Sequence, residues 1–83
     1  MAIWRMSAVL AEMGHRSHAS VYTAIRNGTF TKPVPIGERS VGWPDYEAKA
    51  INQARIAGQT DDQIKALVTR LHAQRQELAQ ALA

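Results

Sequence analysis

The sequence contains no cysteine, so neither a disulfide nor a thiolate metal site can stabilise the fold. It also has no apolar run near the roughly 18 residues that a membrane span requires. The first residues, MAIWRMSAVLAEMG, carry Glu12 and lack the long apolar core of a signal peptide. We therefore expect a cytoplasmic protein with no membrane partner. A chain of 83 residues makes one small folding unit, which must gain its stability from packing and, where packing falls short, from a partner subunit.

The sequence offers few residues suited to catalysis. Close carboxylates occur only as Asp45 with Glu47 and as Asp61 with Asp62, and each pair lies at the start of a predicted helix, where it complements the helix dipole. Neither a Walker-type glycine-rich loop nor a nucleophile elbow is present. We expect neither an enzyme nor a bound cofactor.

The positive charge is concentrated in the first half of the chain. The net charge is +3; residues 1–43 carry five Arg or Lys against two Glu, and residues 44–83 carry five against five acidic residues. This asymmetry favours a polyanion-facing front and a neutral back. His15 and His18 have a spacing that could bind a metal ion, but without cysteine or a nearby acidic ligand we expect polar histidines and no metal site.

Residues 7–28 predict two short helices separated by a turn. Ser7 is a candidate N-cap for the first helix, which ends at Gly14. The second helix opens at Ser17 or at Ala19-Ser20 and ends at Gly28. The apolar side chains expected to be buried on the two helices are Val9, Leu10, Met13, Val21, Tyr22 and Ile25.

Prolines exclude a helix from Lys32 to Ile36, so this segment predicts an extended edge strand. The chain turns at 37–40, and residues 41–43 return as the second strand of a hairpin. A two-stranded ribbon is unstable alone and must be anchored on the helices. We expect Phe30 and Trp43 in the core, and the inward-facing residues of the two strands to be Val34, Ile36, Val41 and Trp43.

Two further helices complete the predicted fold. The third begins at Pro44 and Asp45 and ends at Gly58. The fourth begins at Thr60, which stands three residues before Gln63 in capping-box spacing, and runs to residue 83. The inner face expected for the third helix is Tyr46, Ala50, Ile51 and Ala54. We divide the chain into a domain of residues 1–58 and a C-terminal helical extension of residues 59–83.

The fourth helix is longer than one small domain can cover. Apolar residues recur from Ile64 to the end of the helix at alternating three- and four-residue spacing. We expect the distal half, around Leu71, Leu78 and Leu82, to pack against a second protomer and to form a homo-oligomer. The alternative is a helix that folds back on its own domain.

The order helix, turn, helix, hairpin, helix is that of winged helix-turn-helix DNA-binding folds. Within it lies a distinctive set of residues: Ser20-Val21-Tyr22, Ile25, Gly28, Phe30, Lys32-Pro33-Val34, Gly37, Arg39 and Val41-Gly42-Trp43. This pattern resembles the AlpA-type prophage regulators of the MerR-like winged-helix superfamily, over roughly residues 3–57. The fold class that follows is mainly α: a winged helix-turn-helix with a two-stranded β-hairpin wing and a C-terminal helical extension.

The sequence departs from the family pattern at a few positions. His18 and Thr23 stand where the family often has basic residues, and Thr31 stands where it usually has proline. One extra residue lies between Gly14 and Ser17. The second helix is therefore less basic than in similar proteins, and Arg16 and Arg26 could compensate.

The resemblance implies a sequence-specific regulator that binds double-stranded DNA of a prophage or mobile element and controls an integrase gene or neighbouring genes. One alternative is an excisionase-like architectural factor that sets the direction of recombination. Another is a helical protein-interaction module that does not bind DNA. Integrase and RNA polymerase are the protein partners that the resemblance suggests. The expected DNA-binding residues are Arg16, Ser17, His18, Ser20, Thr23, Arg26, Asn27, Lys32, Arg39 and Ser40.

Overall fold

The computed structural model describes residues 2–82, which form four helices and three short strands. In chain order these are β1 (Ile3–Trp4), α1 (Met6–Met13), α2 (His18–Arg26), β2 (Val34–Pro35), β3 (Val41–Pro44), α3 (Asp45–Ile56) and α4 (Asp61–Leu82). The mainly helical class expected from the sequence is confirmed. Within residues 2–82, no helix combines the length and apolarity needed to cross a membrane.

The sheet has three antiparallel strands in the order β1-β3-β2, where the sequence predicted a two-stranded ribbon. Trp4 pairs with Trp43, and Val34 pairs with Gly42. A Cβ atom at Gly42 would lie 2.5 Å from Ile3 Cγ2 and close to the backbone of β1. Glycine is therefore needed at position 42, because Ile3 and the Trp4 carbonyl of the neighbouring strand β1 lie against it. Strand β1 also anchors the hairpin to the helices.

The start of α1 corrects our assignment of its N-cap. The helix begins at Met6, its N-cap is Arg5 in an extended conformation, and no side chain caps it. Ser7 lies inside the first turn. Pairing of Ile3 and Trp4 with β3 keeps the backbone extended up to Arg5, and the helix starts directly after it.

The other helix signals are confirmed. Ser17 is the N-cap of α2, where its Oγ accepts the backbone N–H of Ser20 at 3.3 Å. Gly28 follows α2 with a φ of 82°, and the backbone N–H of Thr29 returns to the carbonyl of Ala24. At α4, Thr60 and Gln63 exchange reciprocal side chain–backbone bonds of 2.9 and 3.2 Å, as a capping box requires.

The core lies between the helices and the part of the sheet that contains Trp43. As expected, Phe30 and Trp43 are fully buried; their ring centroids are 5.8 Å apart, and Trp43 Nε1 donates to the Thr31 carbonyl at 2.8 Å. The remaining buried apolar residues are Val9, Val21, Ala48, Ile51, Ala54, Ile64, Val68 and Leu71.

Three apolar residues expected inside lie at the surface, so those predictions were wrong. Tyr22 is 43% exposed, because α2 turns Val21 rather than Tyr22 towards the core. Ile36 and Val41 flank the turn of the hairpin and are also exposed. On α3, Tyr46 and Ala50 are only half-buried, whereas Ile51 and Ala54 are buried as expected.

The first half of α4 packs on its own chain. Ile64, Val68 and Leu71 belong to the same buried cluster as the core residues of the other helices. Leu71 is 4% exposed and has no surface left for a second protomer, which corrects our assignment of this residue to an oligomerisation face. Leu78 and Leu82 lie further along the helix and are 45% and 87% exposed.

Candidate nucleic-acid interface

A groove of about 420 Å³ separates the start of α2 from the turn of the β2–β3 hairpin. His18 and Tyr22 line it from α2, Arg39 and Ser40 line it from the hairpin turn, and Arg5 lines it from the end of β1. We call this surface the α2–hairpin groove. It brings together three of the expected DNA-binding residues, His18, Arg39 and Ser40, from two separate elements.

One stripe of α2 extends along this groove. His18, Tyr22 and Arg26 follow one another at intervals of four residues, which places them on one side of a helix. All three side chains are exposed. A tyrosine at such a position presents an apolar ring and a polar hydroxyl to whatever binds there. The sequence pattern groups Tyr22 with Val21 and Ile25 on the buried face of α2, so it does not select Tyr22 for the interface.

The small polar residues of α2 already have partners within the helix. Ser17 and Ser20 place their Oγ atoms 3.1 Å apart, and Thr23 Oγ1 donates to the Ala19 carbonyl at 2.8 Å. Asn27 is the C-cap residue of α2. Ser17 thus has a capping role in the folded chain. These hydroxyl oxygens keep lone pairs that can accept a further hydrogen bond.

Arg5 is a member of the groove that the sequence analysis did not select. Its Nη2 donates to Ser40 Oγ at 3.0 Å, which joins the end of β1 to the hairpin turn. The signal that could have identified it is the Ile3-Trp4 pair immediately before it. Once these residues are recognised as a strand that pairs with Trp43, the next side chain must lie beside the hairpin.

The expected phosphate-binding side chains have no acidic partner in the described part of the chain. All three ion pairs among residues 2–82 involve α3 and α4: Lys49–Asp45, Arg55–Asp61 and Arg75–Glu47. Arg16, Arg26, Lys32 and Arg39 are exposed and take part in none of them. Arg39 lies close in sequence to Glu38 and Asp45, but it forms no ion pair with either of them among the described residues. The front of the molecule therefore presents positive charge that is not neutralised internally.

Lys32 differs from the other candidates because its backbone is held by α4. Its N–H donates to His72 Nε2 at 3.1 Å, and its carbonyl accepts from Arg75 Nη2 at 2.7 Å. Burial lowers the pKa of His72 below its ordinary value, and the positive charge of Arg75 lowers this pKa further. His72 therefore stays neutral near pH 7, as an acceptor at Nε2 must be.

Glu47 has a different role from the one that its sequence position suggested. We expected it to complement the dipole at the start of α3, but it is fully buried and bonded to Arg75 Nε at 2.7 Å and to Arg75 Nη2 at 2.5 Å. The two parallel bonds form the bidentate pair that guanidinium and carboxylate groups favour. The sequence pattern does not predict this ion pair, because its two members are 28 residues apart.

Within residues 2–82, no group of three His, Asp or Glu side chains is close enough to share a metal ion. His15 lies in the turn before α2, and His18 is the first residue of that helix. Both histidines, whose spacing could suit a metal ion, are at least partly exposed. The chemistry available at the groove is thus that of cations, hydroxyl groups and an aromatic ring.

Residues 2–53 match the family described as prophage CP4-57 regulatory protein (AlpA), which is more than half of the chain. The matched segment includes β1, α1, α2, the hairpin and most of α3, and it ends before α4. No curated protein and no solved structure gives a significant match. The α2–hairpin groove lies entirely within the matched segment.

Proposed function

The chain belongs to the AlpA family of prophage regulatory proteins, and from this premise we propose that it regulates genes of a prophage or mobile element by binding duplex DNA. The binding face is the α2–hairpin groove with its adjoining cations. The observation that carries the proposal is a groove lined by Arg5 and Arg39, together with the exposed side chains of Arg16, Arg26 and Lys32, which take part in no ion pair among residues 2–82.

The dimensions of α2 suit the major groove of DNA. The helix has 9 residues, and an α-helix with its side chains is about 10–12 Å across. The major groove of B-DNA is about 12 Å wide and admits one helix. With the stripe of His18, Tyr22 and Arg26 facing the bases, Arg26 can reach a guanine edge and the Tyr22 hydroxyl can reach a phosphate.

The hairpin acts as the wing in this arrangement. Arg39 and Ser40 lie at its turn, across the groove from α2, so they meet the phosphate backbone or the minor groove beside the site that α2 enters. Arg5, bonded to Ser40, adds a further cation at the same place. Arg16 before α2 and Lys32 before β2 extend the positive surface on either side.

Sequence-specific regulation then requires no chemistry by the protein itself. The bound chain marks a site on the DNA and recruits integrase or RNA polymerase, or bends the DNA in the manner of an excisionase.

We further propose that the exposed Leu78 and Leu82 at the end of α4 join two chains, so that the operator contains repeated half-sites. Light scattering of wild type and Leu78→Asp at tens of micromolar tests this; a wild-type monomer removes the dimer from the proposal.

The primary test is fluorescence anisotropy with a labelled random-sequence duplex, titrated with salt. If about four cations contact phosphates, log Kd should change with log salt with a slope of magnitude about 3.6 per protomer. Arg39→Ala should reduce this magnitude by about one. The matched control is Arg70→Ala, because Arg70 is an exposed arginine of α4 that lines a separate depression beside Ala50 and Gln53. Arg70→Ala should leave both affinity and slope unchanged.

Selection from a random duplex pool then tests sequence specificity. Enrichment of one motif, with tighter binding than the starting pool, supports a regulator with an operator. A ladder of complexes on phased repeats together with DNA bending supports the excisionase-like role. Absence of binding to any duplex at low salt refutes the proposed function and favours a protein-interaction module.

A further inference from the structure

Both polar groups of the Lys32 backbone form hydrogen bonds with side chains of α4. Its N–H donates to His72 Nε2 at 3.1 Å and its carbonyl accepts from Arg75 Nη2 at 2.7 Å. Lys32 lies two residues before β2, at the base of the hairpin. Side chains about 40 residues away along the chain therefore determine where the hairpin leaves the core.

The hairpin needs this support because its first strand has few hydrogen-bond donors. Pro33 and Pro35 have no backbone N–H, and β2 pairs with β3 over only two residues. A two-residue ladder of this kind fixes a strand weakly. The bonds from His72 and Arg75 fix the chain immediately before these prolines.

The α4 side chains that hold Lys32 are themselves held in position. Arg75 forms two bonds with Glu47, whose side chain is fully buried on α3. His72 is half-buried one turn earlier on α4, and Trp43 Nε1 bonds the preceding carbonyl, that of Thr31. The base of the hairpin is thus fastened to three elements of the core, α3, α4 and β3.

We propose that His72 and Arg75 are positioning residues for DNA binding, which fix the base of the hairpin and thereby hold Arg39 at the correct distance from α2. The inference rests on the proposed function. Neither residue lines the α2–hairpin groove, so both act through the backbone of Lys32. The α2–hairpin groove lies within the segment that matches the family, whereas α4 lies outside it. In this proposal α4 nevertheless controls the geometry of the groove.

The first test compares His72→Phe with His72→Gln. Phenylalanine keeps the planar ring and removes the acceptor, so the N–H of Lys32 loses its partner; glutamine supplies Oε1 as an acceptor. Affinity for the selected duplex should fall about tenfold in His72→Phe, the scale of one unpaired donor, and should recover to within about twofold of wild type in His72→Gln. The control is Gln76→Phe, an exposed position on the same helix, which should not change affinity.

A double-mutant cycle separates positioning from general loss of stability. If His72→Phe weakens binding by moving Arg39 away from its phosphate, the change should be less than about twofold when Arg39 is already alanine, because that contact is then absent. A full tenfold loss in both backgrounds would overturn the inference. All affinities are measured at a temperature where circular dichroism shows each variant to be folded.

A change of pH provides a second measurement that does not depend on the folding of His72→Phe. Protonation converts His72 Nε2 from an acceptor to a donor, next to the cations Arg75 and Lys32 and the carboxylate of Glu47. Between pH 7.5 and 5.5 wild type should therefore lose affinity relative to His72→Gln, because the two proteins differ only at position 72. Identical pH profiles would refute the positioning role. If wild type itself binds no duplex, the proposed function fails; if it binds and His72→Phe binds equally, only this inference fails.

Discussion

Arg75→Ala should be among the most destabilising single substitutions at a charged residue, because it leaves the carboxylate of Glu47 without a partner. Glu47 is 0% exposed, and Arg75 supplies two hydrogen bonds to it and a third to the Lys32 carbonyl. Removing one member of a buried ion pair costs about 3–5 kcal/mol. The total stability of a domain is about 5–15 kcal/mol, so the loss is a large fraction of it.

The magnitude depends on burial, and the chain contains a matched control for burial. Arg55 pairs with Asp61 at 3.6 Å, but the two side chains are 48% and 73% exposed. An exposed pair of this kind contributes about 0–1 kcal/mol. Arg55→Ala should therefore change the free energy of unfolding by less than about 1 kcal/mol, although the same residue type is removed.

The assay is urea denaturation followed by circular dichroism, with the slope against urea checked for constancy. The double substitution Glu47→Leu with Arg75→Met should recover much of the loss, because it removes both charges and restores packing. The recovery is incomplete, since the Lys32 carbonyl still lacks a donor. Equal effects of Arg75→Ala and Arg55→Ala, both below about 1 kcal/mol, would refute the reasoning.

Three further predictions concern the core and pH. Trp43→Ala should cost about 3–5 kcal/mol, measured by thermal melting, because it removes a fully buried side chain and leaves a carbonyl without its donor. Gly42→Ala should cost about 1–3 kcal/mol, since the new Cβ would press on β1, whereas Gly37→Ala, where the nearest atom is 3.8 Å away, should not. Because burial lowers the pKa of His72 below 6.5, the unfolded chain binds more protons just below that pH. The His72 contribution to stability should therefore be present above pH 6.5 and decrease as the pH falls, and His72→Gln should lack this loss.

The parts of the fold that sequence reasoning recovered depend on short-range signals. Gly14, Gly28 and Gly58 each follow a helix and adopt positive φ, a conformation that favours glycine over other residues. Thr60 and Gln63 form their capping box within one turn. Such features are determined by neighbouring residues alone, so the sequence predicts them well.

The parts that it did not recover depend on contacts between distant residues. β1 has two residues, too few to show an alternating pattern, and it exists only because Trp43 and Pro44 are there to pair with it. The requirement for glycine at position 42 follows from that pairing and is invisible without it. The same reason explains why Ser7 was chosen as N-cap and why Arg5 was not selected for the interface.

The sequence analysis selected the elements that line the α2–hairpin groove, but it selected only some of the lining residues. The turn before α2, α2 itself and the hairpin were the expected elements, and the structure places His18, Arg39 and Ser40 around one groove. Which face of α2 borders that groove could not be deduced, since it depends on where the hairpin packs. Tyr22 lines the groove, where serine and threonine side chains of α2 were expected. The hydroxyl groups of Ser17 and Thr23 already form hydrogen bonds within the helix.

The prolines of the hairpin and the length of α4 have a common physical explanation. Pro33 and Pro35 remove donors from β2 and so discourage pairing with another chain at the sheet edge, but they also leave the hairpin weakly attached. If α4 ended near Leu71, it would still fill the core. It would then lack Arg75, the side chain that reaches the base of the hairpin. The further turn that carries His72 and Arg75 supplies one acceptor and one donor to Lys32, and Glu47 fixes the guanidinium that provides the donor. This part of α4 therefore holds the base of the hairpin beside the α2–hairpin groove, and the segment around Leu78 and Leu82 remains exposed.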